Sequence, residues 1–285
     1  MSNTGFAWLD QKANEATQNL ATKTENSVIE VTQAEPTTVL GYFGQVSMDR
    51  ALVKAAHGLN LNQKRLMMYA ISELHPKAVQ PTQVVVKVGA TDYAKSVNVT
   101  KSKNFYRDLK NSADALFKRY ISIEYDTPKG REIAKVHWVS AARYHEGEGW
   151  VELRFTPEVS PYLTQLNSGN QVIYNLEDAV DLKSVYSWRL LELLYQWQDS
   201  KQLYIKLEDF RHALEIPEKY RYADIKINCI ERVIKDLKQN AKIAVTYEAI
   251  KDPKNKRRVG SLRFKWKEIE QRELPLKGGE THKAK

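Results

Sequence analysis

The sequence repeats one arrangement of motifs, and this internal near-repeat is the strongest constraint on its fold. The first copy is "TDYAKSVNVTKSKNFYRDLKNSADALFKRYISIEYD" and the second is "EDFRHALEIPEKYRYADIKINCIERVIKDLKQNAKIAVTYE". In the first copy, an Asp-Tyr pair at 92–93 is followed by two apolar residues. In the second copy, an Asp-Phe pair at 209–210 is followed by two apolar residues at the same spacing. Both copies predict a short helix, a turn and a longer amphipathic helix, followed by an alternating strand. The extra length of the second copy is accounted for by its "EKYRY" segment.

Each copy is preceded by a predicted helix and continues into a predicted β-hairpin. The first hairpin, "YISIEYDTPKGREIAKVHWVS", has a Pro-Lys-Gly turn, and the second turns through "KDPKNKRR". The preceding helices are "NLNQKRLMMYAISEL" and "KSVYSWRLLELLYQWQ". This order is typical of a winged helix, so we predict an α+β protein made of two tandem winged-helix domains. The same order also occurs in small α+β domains that have no DNA role.

The charge distribution divides the chain into two basic halves and two tails. Residues 1–44, with two lysines and five acidic residues, form a predicted flexible acidic leader, and residues 271–285 form a predicted basic flexible tail. Residues 45–165 and 166–270 are the predicted N-terminal and C-terminal winged-helix domains. The net charge of +9 favours an anionic partner such as nucleic acid, although a merely soluble basic protein has the same property.

The sequence lacks the motifs that are typical of several functional classes. There is a single cysteine, no apolar run approaches the ~20 residues that span a bilayer, and no Walker-type phosphate loop occurs. The six histidines form neither His-x-His nor His-Glu-x-x-His. We therefore expect a soluble, cytoplasmic protein without a membrane partner, metal, cofactor or enzymatic activity.

The longer helix of each copy has one apolar and one polar face. In the second copy the helix is predicted over residues 223–240, and its core face is predicted to consist of Ile227, Ile230, Val233, Ile234 and Leu237. In the first copy the helix is predicted over residues 102–117. For any single cation on these helices, a solvated surface is the simpler interpretation, but the set as a whole favours DNA binding.

The predicted DNA-binding residues lie on the two polar faces, just before them, and at the turn of the second hairpin. Arg pairs with guanine and Asn with adenine in the major groove, whereas Lys and Tyr contact phosphate and sugar. In the first half the set is Lys101, Lys103, Asn104, Arg107 and Lys110. In the second half it is Lys219, Tyr220, Arg221, Tyr222, Lys226, Asn228, Arg232 and Lys235, with Lys256, Arg257 and Arg258 at the hairpin turn.

The helix predicted over residues 183–198 is apolar on nearly all sides and is expected to join the two halves. Its aromatic residues are predicted to pack in the core and between the domains: Tyr186, Trp188, Tyr195 and Trp197. Cys229 is predicted to be a small buried or half-buried residue and not a nucleophile.

Three stretches resemble one known family. "LNLNQKRLMMYAISEL", "VYSWRLLELLYQW" and "YADIKINCIERVIKDLKQ" are similar to the matching parts of the iteron-binding initiator proteins of bacterial plasmids, which have two winged helices. The resemblance covers about residues 45–267 and touches both halves in the same order. The chain departs from the family at the start of its second long helix, where Ile225, Ile227 and Asn228 replace a denser basic cluster.

The resemblance implies a function and a set of partners. Such proteins bind repeated origin sites as monomers, help to open an AT-rich region, and recruit the host helicase and initiator. As homodimers, many repress their own gene. The C-terminal winged helix gives the main base readout, which falls here on Arg221, Lys226, Asn228 and Arg232. The N-terminal one adds contacts, here from Lys103, Asn104 and Arg107, and forms the dimer.

Three other functions are compatible with parts of the sequence. A transcriptional repressor with two winged helices has the same DNA contacts without an initiator role. A rolling-circle nicking enzyme needs a His-x-His pair with a positioned tyrosine, and the pair is missing. A scaffold protein with solvated basic faces binds no DNA.

Overall fold

The computed structural model describes residues 44–55, 57–74, 84–98, 104–164, 166 and 169–269. All of them belong to one compact unit, Thr37–Lys285. Apart from Gly44, the predicted leader and the predicted tail lie outside the described residues.

The first half contains a helical core, a three-stranded sheet and a separate hairpin. Its helices are α1 (Arg50–Lys54), α2 (Leu61–Ser72), α3 (Ala90–Ser96), α4 (Phe105–Phe117) and α5 (Pro161–Thr164). Its strands are β1 (Gln45–Asp49), β2 (Val85–Gly89), β3 (Tyr120–Thr127), β4 (Gly130–His137), β5 (Val139–His145) and β6 (Trp150–Phe155).

The second half follows in the order that the near-repeat predicts. It contains β7 (Gln171–Asn175), α6 (Glu177–Val180), α7 (Val185–Tyr195), β8 (Gln202–Lys206), α8 (Leu207–Ala213) and α9 (Tyr222–Ile225). A π-helical segment (Lys226–Glu231) runs on into α10 (Arg232–Asn240), and the chain continues with β9 (Ile243–Lys251) and β10 (Val259–Glu268). The two winged helices and the α+β class are confirmed.

The sheet of the second half has the strand order β8-β10-β9, all antiparallel. Strand β8 comes before the helices, so the hairpin β9–β10 returns to it after the long helix, as a winged helix requires. Alternate residues of β10, Leu262, Phe264 and Trp266, are buried, and the ring of Phe210 on α8 stacks on that of Phe264. The predicted second wing is therefore this hairpin, with its turn between Lys251 and Val259.

The first half differs from the prediction in its wing. The predicted hairpin forms as β3–β4, with Thr127 opposite Gly130, but it is a separate two-stranded sheet. Strand β2 pairs instead with β6, which pairs with β5 in a second hairpin. Alternate residues of β6, Val151, Leu153 and Phe155, are fully buried. This alternation gives β6 the apolar face that the sheet needs, and the sequence analysis missed it.

Helix α7 lies in the shared core of the two halves, as predicted. Trp188, Leu190, Leu191 and Leu194 have no exposed surface, and the buried apolar residues of both halves form one continuous core. Strand β7, which follows the first winged helix in the sequence, pairs with β1, the strand at the beginning of that winged helix. A fully buried aliphatic side chain contributes about 1.5–3 kcal/mol to stability, so this helix is central to both halves.

The prediction that Trp197 packs in the core is wrong, because this side chain is 48% exposed. Helix α7 ends at Tyr195, and residues 196–200 form turns, so Trp197 lies beyond the helix that the core surrounds. Tyr195 is buried as predicted, and Tyr186 is partly buried against the core.

The long helix 222–240 also differs from its predicted face. Ile227 was predicted to be core but is 49% exposed, whereas Ile225, Cys229, Ile230, Val233 and Leu237 are buried. The cause is the π-helical segment Lys226–Glu231: its wider turn changes the angle between successive residues, so Ile227 no longer shares a face with Ile230. Cys229 is buried as predicted, and burial raises the pKa of its thiol to about 11.

Candidate nucleic-acid interface

The loop that leads into the long helix 222–240 is held in place by Arg211. Its guanidinium, on α8, donates hydrogen bonds to the carbonyl oxygens of Pro217 at 3.2 Å, Glu218 at 3.0 Å and Tyr220 at 2.9 Å. Three bonds from one planar fork leave the loop backbone little freedom. The segment predicted to contact DNA before the helix thus has a defined conformation.

Within that segment the charged residues and the tyrosines have different surroundings. Lys219 and Arg221 are exposed, whereas Tyr220 and Tyr222 are partly buried and pack against the core. The carboxylate of Asp224 accepts a hydrogen bond from the Arg221 backbone N–H at 2.9 Å, which orders the first turn. Burial raises the pKa of Tyr222, so this phenol is protonated at neutral pH. The tyrosines therefore support the helix start, and the two cations are exposed.

The predicted polar face of the long helix lines an open groove beside the start of α7. The groove has a volume of about 540 Å³. Its wall from the long helix consists of Asn228, Arg232, Lys235, Asp236, Gln239 and Asn240, and the opposite wall includes Lys183, Ser184 and Tyr186. The Asp236 carboxylate accepts a hydrogen bond from the Lys183 backbone N–H at 3.0 Å, which holds the two walls together. Sequence reasoning missed Lys183, although it directly precedes the Ser184 that caps α7.

Lys226 was predicted together with these residues but does not line the groove. Its ammonium lies 3.6 Å from the Glu231 carboxylate, and both side chains are about half exposed. An exposed pair of this kind contributes at most about 1 kcal/mol, so it does not prevent Lys226 from moving to another anion. The structure nevertheless separates Lys226 from Asn228, Arg232 and Lys235, which line the groove.

The tip of the second wing is an ordered turn that exposes cations. The Asp252 carboxylate accepts from the Lys254 N–H at 2.8 Å, and the Asn255 amide oxygen accepts from the Arg257 N–H at 3.1 Å. These side-chain acceptors replace the ladder bonds that end at the tip. The exposed residues of the tip include the predicted contacts Lys256, Arg257 and Arg258. Such a cluster suits the phosphate backbone of a nucleic acid.

The structure describes only some of the predicted DNA-binding residues of the first half. Lys101 and Lys103 lie outside the described residues, and so does the predicted helix start at 102. Helix α4 begins at Phe105 with Asn104 as its N-cap, and Asn104 and Arg107 are exposed. The apolar face of this helix is predicted to consist of Phe105, Leu109, Ala113 and Leu116; the last three are fully buried, and Phe105 is partly buried against the core.

Lys110, the last predicted contact of the first half, has an acidic partner. Its ammonium lies 2.9 Å from the Glu146 carboxylate and above the ring of Tyr144. The hydrogen bond to Glu146 raises the pKa of Lys110. This pairing makes Lys110 less available to DNA than Arg107.

A second groove lies at the matching place of the first half, beside the start of α2. Its volume is about 350 Å³, and its lining includes Asn60, Asn62, Arg65, Asp108, Asn111 and Ser112. Asn60 caps α2 and forms a capping box with Gln63, at bond lengths of 3.0 and 2.9 Å. The motif Asn-x-x-Gln was a signal for this helix start that the sequence analysis did not use. In both halves, then, the long helix and the N-terminus of the preceding core helix form one groove.

The two grooves differ in charge. The groove of the second half contains Lys183, Arg232 and Lys235 against the single carboxylate of Asp236. The groove of the first half contains one arginine, Arg65, and one carboxylate, that of Asp108. A cationic groove with amide side chains is chemically suited to phosphates and base edges, so the second half has the stronger candidate interface.

Other kinds of site are not evident in the part of the chain that the structure describes. There, no three side chains of His, Cys, Asp or Glu are grouped as metal ligands. No helix in the described ranges is long and apolar enough to cross a membrane.

Models of two protein families match the chain. The model described as "Initiator Replication protein, WH1" matches residues 45–195, and the one described as "Initiator Rep protein, WH2" matches residues 206–266. The two matches together cover most of the chain and follow each other in the order of the near-repeat.

Individual relatives agree with these matches. The PI protein of Escherichia coli is 23% identical over 241 residues, which are 73% of this chain and 77% of that protein. The solved structure of the Pi initiator protein in complex with iteron DNA superposes with a TM-score of 0.65 at 19% identity, over 81% of this chain and 100% of that one. At this identity the likeness demonstrates a common fold.

Proposed function

The chain belongs to the initiator replication protein family through both its WH1 and its WH2 domain, and from this membership we propose that it initiates plasmid replication by binding repeated sites in an origin. The observation that carries the proposal is the groove beside Arg232 and Lys235, with its cationic lining and an ordered basic wing in the same half. The related Pi initiator protein has been solved with iteron DNA, which supports the same class of ligand.

The two halves divide the recognition of one DNA site. The long helix 222–240 enters a major groove and gives the main base contacts through Arg232 and Asn228, while the wing holds phosphates. Helix α4 enters the next major groove about 10 base pairs away on the same DNA face. One chain then covers roughly 20 base pairs.

The remaining steps of initiation require partners. Bound chains on adjacent repeats help to open an AT-rich region and recruit the host helicase and initiator. As a homodimer, the protein binds an inverted version of the site and represses its own gene. Family membership supports these steps, and no catalytic step of the chain itself is part of the proposal.

Selection from a random double-stranded DNA library at physiological salt tests the proposal directly. We expect enrichment of one motif of about two helical turns. Binding without enrichment that disappears as salt rises would contradict the proposal, since that behaviour belongs to a non-specific cation.

Two further assays separate the initiator from the other functions. A plasmid that carries the selected repeats is expected to be maintained only in cells that express this chain; repression without maintenance would indicate a transcriptional repressor. Incubation with the supercoiled plasmid and Mg²⁺ is expected to leave it intact. A nicked circle with covalently attached protein would indicate a rolling-circle enzyme.

A further inference from the structure

Buried polar side chains meet where the two halves join. We call them the junction cluster; its members are His57, Lys64, Arg189, Glu192 and Glu215. All except Glu215 have almost no exposed surface. His57 and Lys64 belong to the first half, Glu215 to the second, and the other two to helix α7 between them.

The centre of the junction cluster is an ion pair between Lys64 of α2 and Glu192 of α7. The Lys64 Nζ lies 2.8 Å from one Glu192 carboxylate oxygen and 2.9 Å from the other, with both side chains 0% exposed. Tyr174 donates to the same carboxylate at 2.9 Å, and the indole N–H of Trp188 donates to Tyr174 at 2.9 Å. Burial lowers the pKa of Lys64 to about 8, and the charge of Glu192 opposes that shift.

Arg189 joins backbone of both halves directly. Its guanidinium donates to the carbonyl oxygen of Ala55, after α1, at 2.6 Å, and to that of Ala213, at the end of α8, at 2.7 Å. It also donates to Nδ1 of His57 at 3.1 Å, while Nε2 of His57 donates to the Leu52 carbonyl oxygen. Burial holds the pKa of His57 well below its ordinary range, so this ring is neutral.

Glu215 closes the outer side of the junction cluster. It follows α8 with a positive φ of 55°, and its carboxylate accepts hydrogen bonds from the backbone N–H groups of His57 and Gly58. Nearby, Arg65 of α2 donates to the carbonyl oxygens of Val180 at 3.1 Å and Leu182 at 3.0 Å, just before α7. The bonds of Glu215 and Arg65 join segments that are more than 100 residues apart in the sequence.

Directional bonds restrict the orientation of the two halves relative to each other in a way that apolar packing does not. Hydrophobic contact is non-directional, so it resists separation more than it resists sliding. A buried ion pair has few geometries in which all its groups are satisfied, because any slide leaves a charge without its partner in a medium that cannot solvate it. The junction cluster therefore selects one orientation of the first half relative to the second.

We infer that the junction cluster determines which spacing between the two half-sites of a DNA site the chain accepts. This inference rests on the proposed function. Each inserted base pair moves one half-site by about 3.4 Å and rotates it by about 35°. If the two halves are held rigidly, the second half cannot move to the displaced half-site. If they are held by apolar contacts alone, their relative position can adjust to it. The residues of the cluster are positioning residues, since none of them lines the groove of either half.

The test uses the full-length chain with the paired change Lys64→Met/Glu192→Gln. This change removes both charges together, and the Gln amide retains an acceptor for Tyr174. The matched control is Lys201→Met/Glu268→Gln, at an exposed Lys–Glu pair of 3.1 Å that lies within the second half. Affinity is measured for the selected site, for versions with one to five base pairs inserted between its halves, and for versions with one half scrambled.

We expect wild type and control to lose about tenfold or more in affinity when one or two base pairs are inserted. The paired variant is expected to lose less than about threefold, with its affinity for half-scrambled sites unchanged. A single-residue variant, Glu215→Ala, lies at the partly exposed edge of the cluster and is expected to broaden the profile in the same direction.

Several results would overturn the inference. If both variants keep the steep spacing profile of wild type, the junction cluster stabilises the fold without positioning the halves. If the wild type itself tolerates the insertions, the joint is not rigid and the inference alone fails. If the wild type selects no site from the library, the proposed function fails, and the inference fails with it.

Discussion

Arg232 and Lys226 lie on the same long helix, yet their environments differ. Arg232 lines the groove beside α7, whereas Lys226 lies outside it with Glu231 as its neighbour. Position relative to the groove distinguishes the side chain proposed to read bases from one that is merely exposed. Asn228 and Lys235 share the groove with Arg232, so these three are the best candidates for direct contact.

Replacing Arg232 by Ala is expected to weaken binding to the selected site by about 1–3 kcal/mol and to relax the preference at one base pair, because a bidentate base contact is lost. The measurement is fluorescence anisotropy on the selected site and on its single-base variants. Lys238→Ala, an exposed change in the same helix outside the groove, serves as the control. Equal losses on selected and random DNA for Arg232→Ala would contradict base reading by this residue.

His57 is expected to make the folded state sensitive to acid. Its pKa in the folded protein is well below 6.5, so the unfolded chain takes up a proton first as the pH falls. The stability associated with its neutral form is complete above pH 6.5 and is lost below it, by about 1.4 kcal/mol per pH unit until the folded pKa is reached.

Urea unfolding at several values between pH 7.5 and pH 5 measures this dependence. The His57→Gln variant is expected to lose less unfolding free energy as the pH falls, because it lacks the contribution of His57. The control is His212→Gln: the pKa of His212 is also lowered by burial, but its ring is only partly buried, so the change is expected to be smaller. A wild-type slope identical to that of His57→Gln would contradict a neutral, buried His57.

At the scale of the element, the π-helical segment decides which face of the long helix is buried. A regular helix over 222–240 places Ile227 and Ile230 on one face, but the wider turn of Lys226–Glu231 separates them. Cys229 takes the buried position instead, and Ile227 lies at the surface. Segments of this type are frequent at functional sites, and this one precedes Arg232 directly.

A regular helix predicts similar losses of stability when Ile227 or Ile230 is replaced by Ala, whereas the π-helical segment predicts different losses. Ile230→Ala is expected to cost about 2–5 kcal/mol in unfolding free energy, since it leaves a cavity in the core. Ile227→Ala is expected to cost about 0.5 kcal/mol, because the side chain is half exposed. Chemical denaturation measures both changes, and similar costs would contradict the π-helical segment.

The second wing is expected to contribute affinity without sequence preference. Changing Lys256 and Arg257 to Ala removes two exposed cations from the tip, so binding to selected and random DNA is expected to weaken alike. The slope of log affinity against log salt is expected to become shallower by about 2. Lys265→Ala/Lys267→Ala, on β10 away from the tip, is the control. An unchanged slope for the tip variant would remove the wing from the interface.

At the scale of the whole molecule, the two winged helices share a core. Helix α7 packs against elements of both halves, and β7 returns to pair with β1. The junction cluster adds polar bonds across the same joint. Two domains connected only by a linker have separate cores, so this chain is expected to behave as one folding unit.

Calorimetry is expected to show one unfolding transition whose van't Hoff and calorimetric enthalpies agree, because neither half keeps its core without α7. Leu191→Ala, in the middle of α7, is expected to lower that single transition as a whole. Ile133→Ala, at an exposed side chain of the hairpin β3–β4, is the comparison in the first half. Two separate transitions, only one of them shifted by Leu191→Ala, would show that the halves unfold independently.

The near-repeat and the local periods predicted most of the helices and the second wing, because such elements depend on residues close together in the chain. The first wing was only partly predicted. Its hairpin was found from a local turn, but the partner of β2 is β6, some sixty residues later in the sequence. Strand pairing over that distance depends on which apolar faces the rest of the fold leaves uncovered, and no local window contains this information.

The α+β class, the two winged helices, the burial of α7 and the basic character of both halves follow from the sequence alone. Periodicity, turn residues and charge are properties of short segments, so they can be seen in the chain before it folds. The packing of the elements is needed to expose Ile227 and Trp197, to place Arg232 and Lys183 in one groove, and to bury Lys64 with Glu192. These outcomes depend on helix phase, on where a helix ends, and on contacts between residues far apart in the chain, which are settled only when the elements pack.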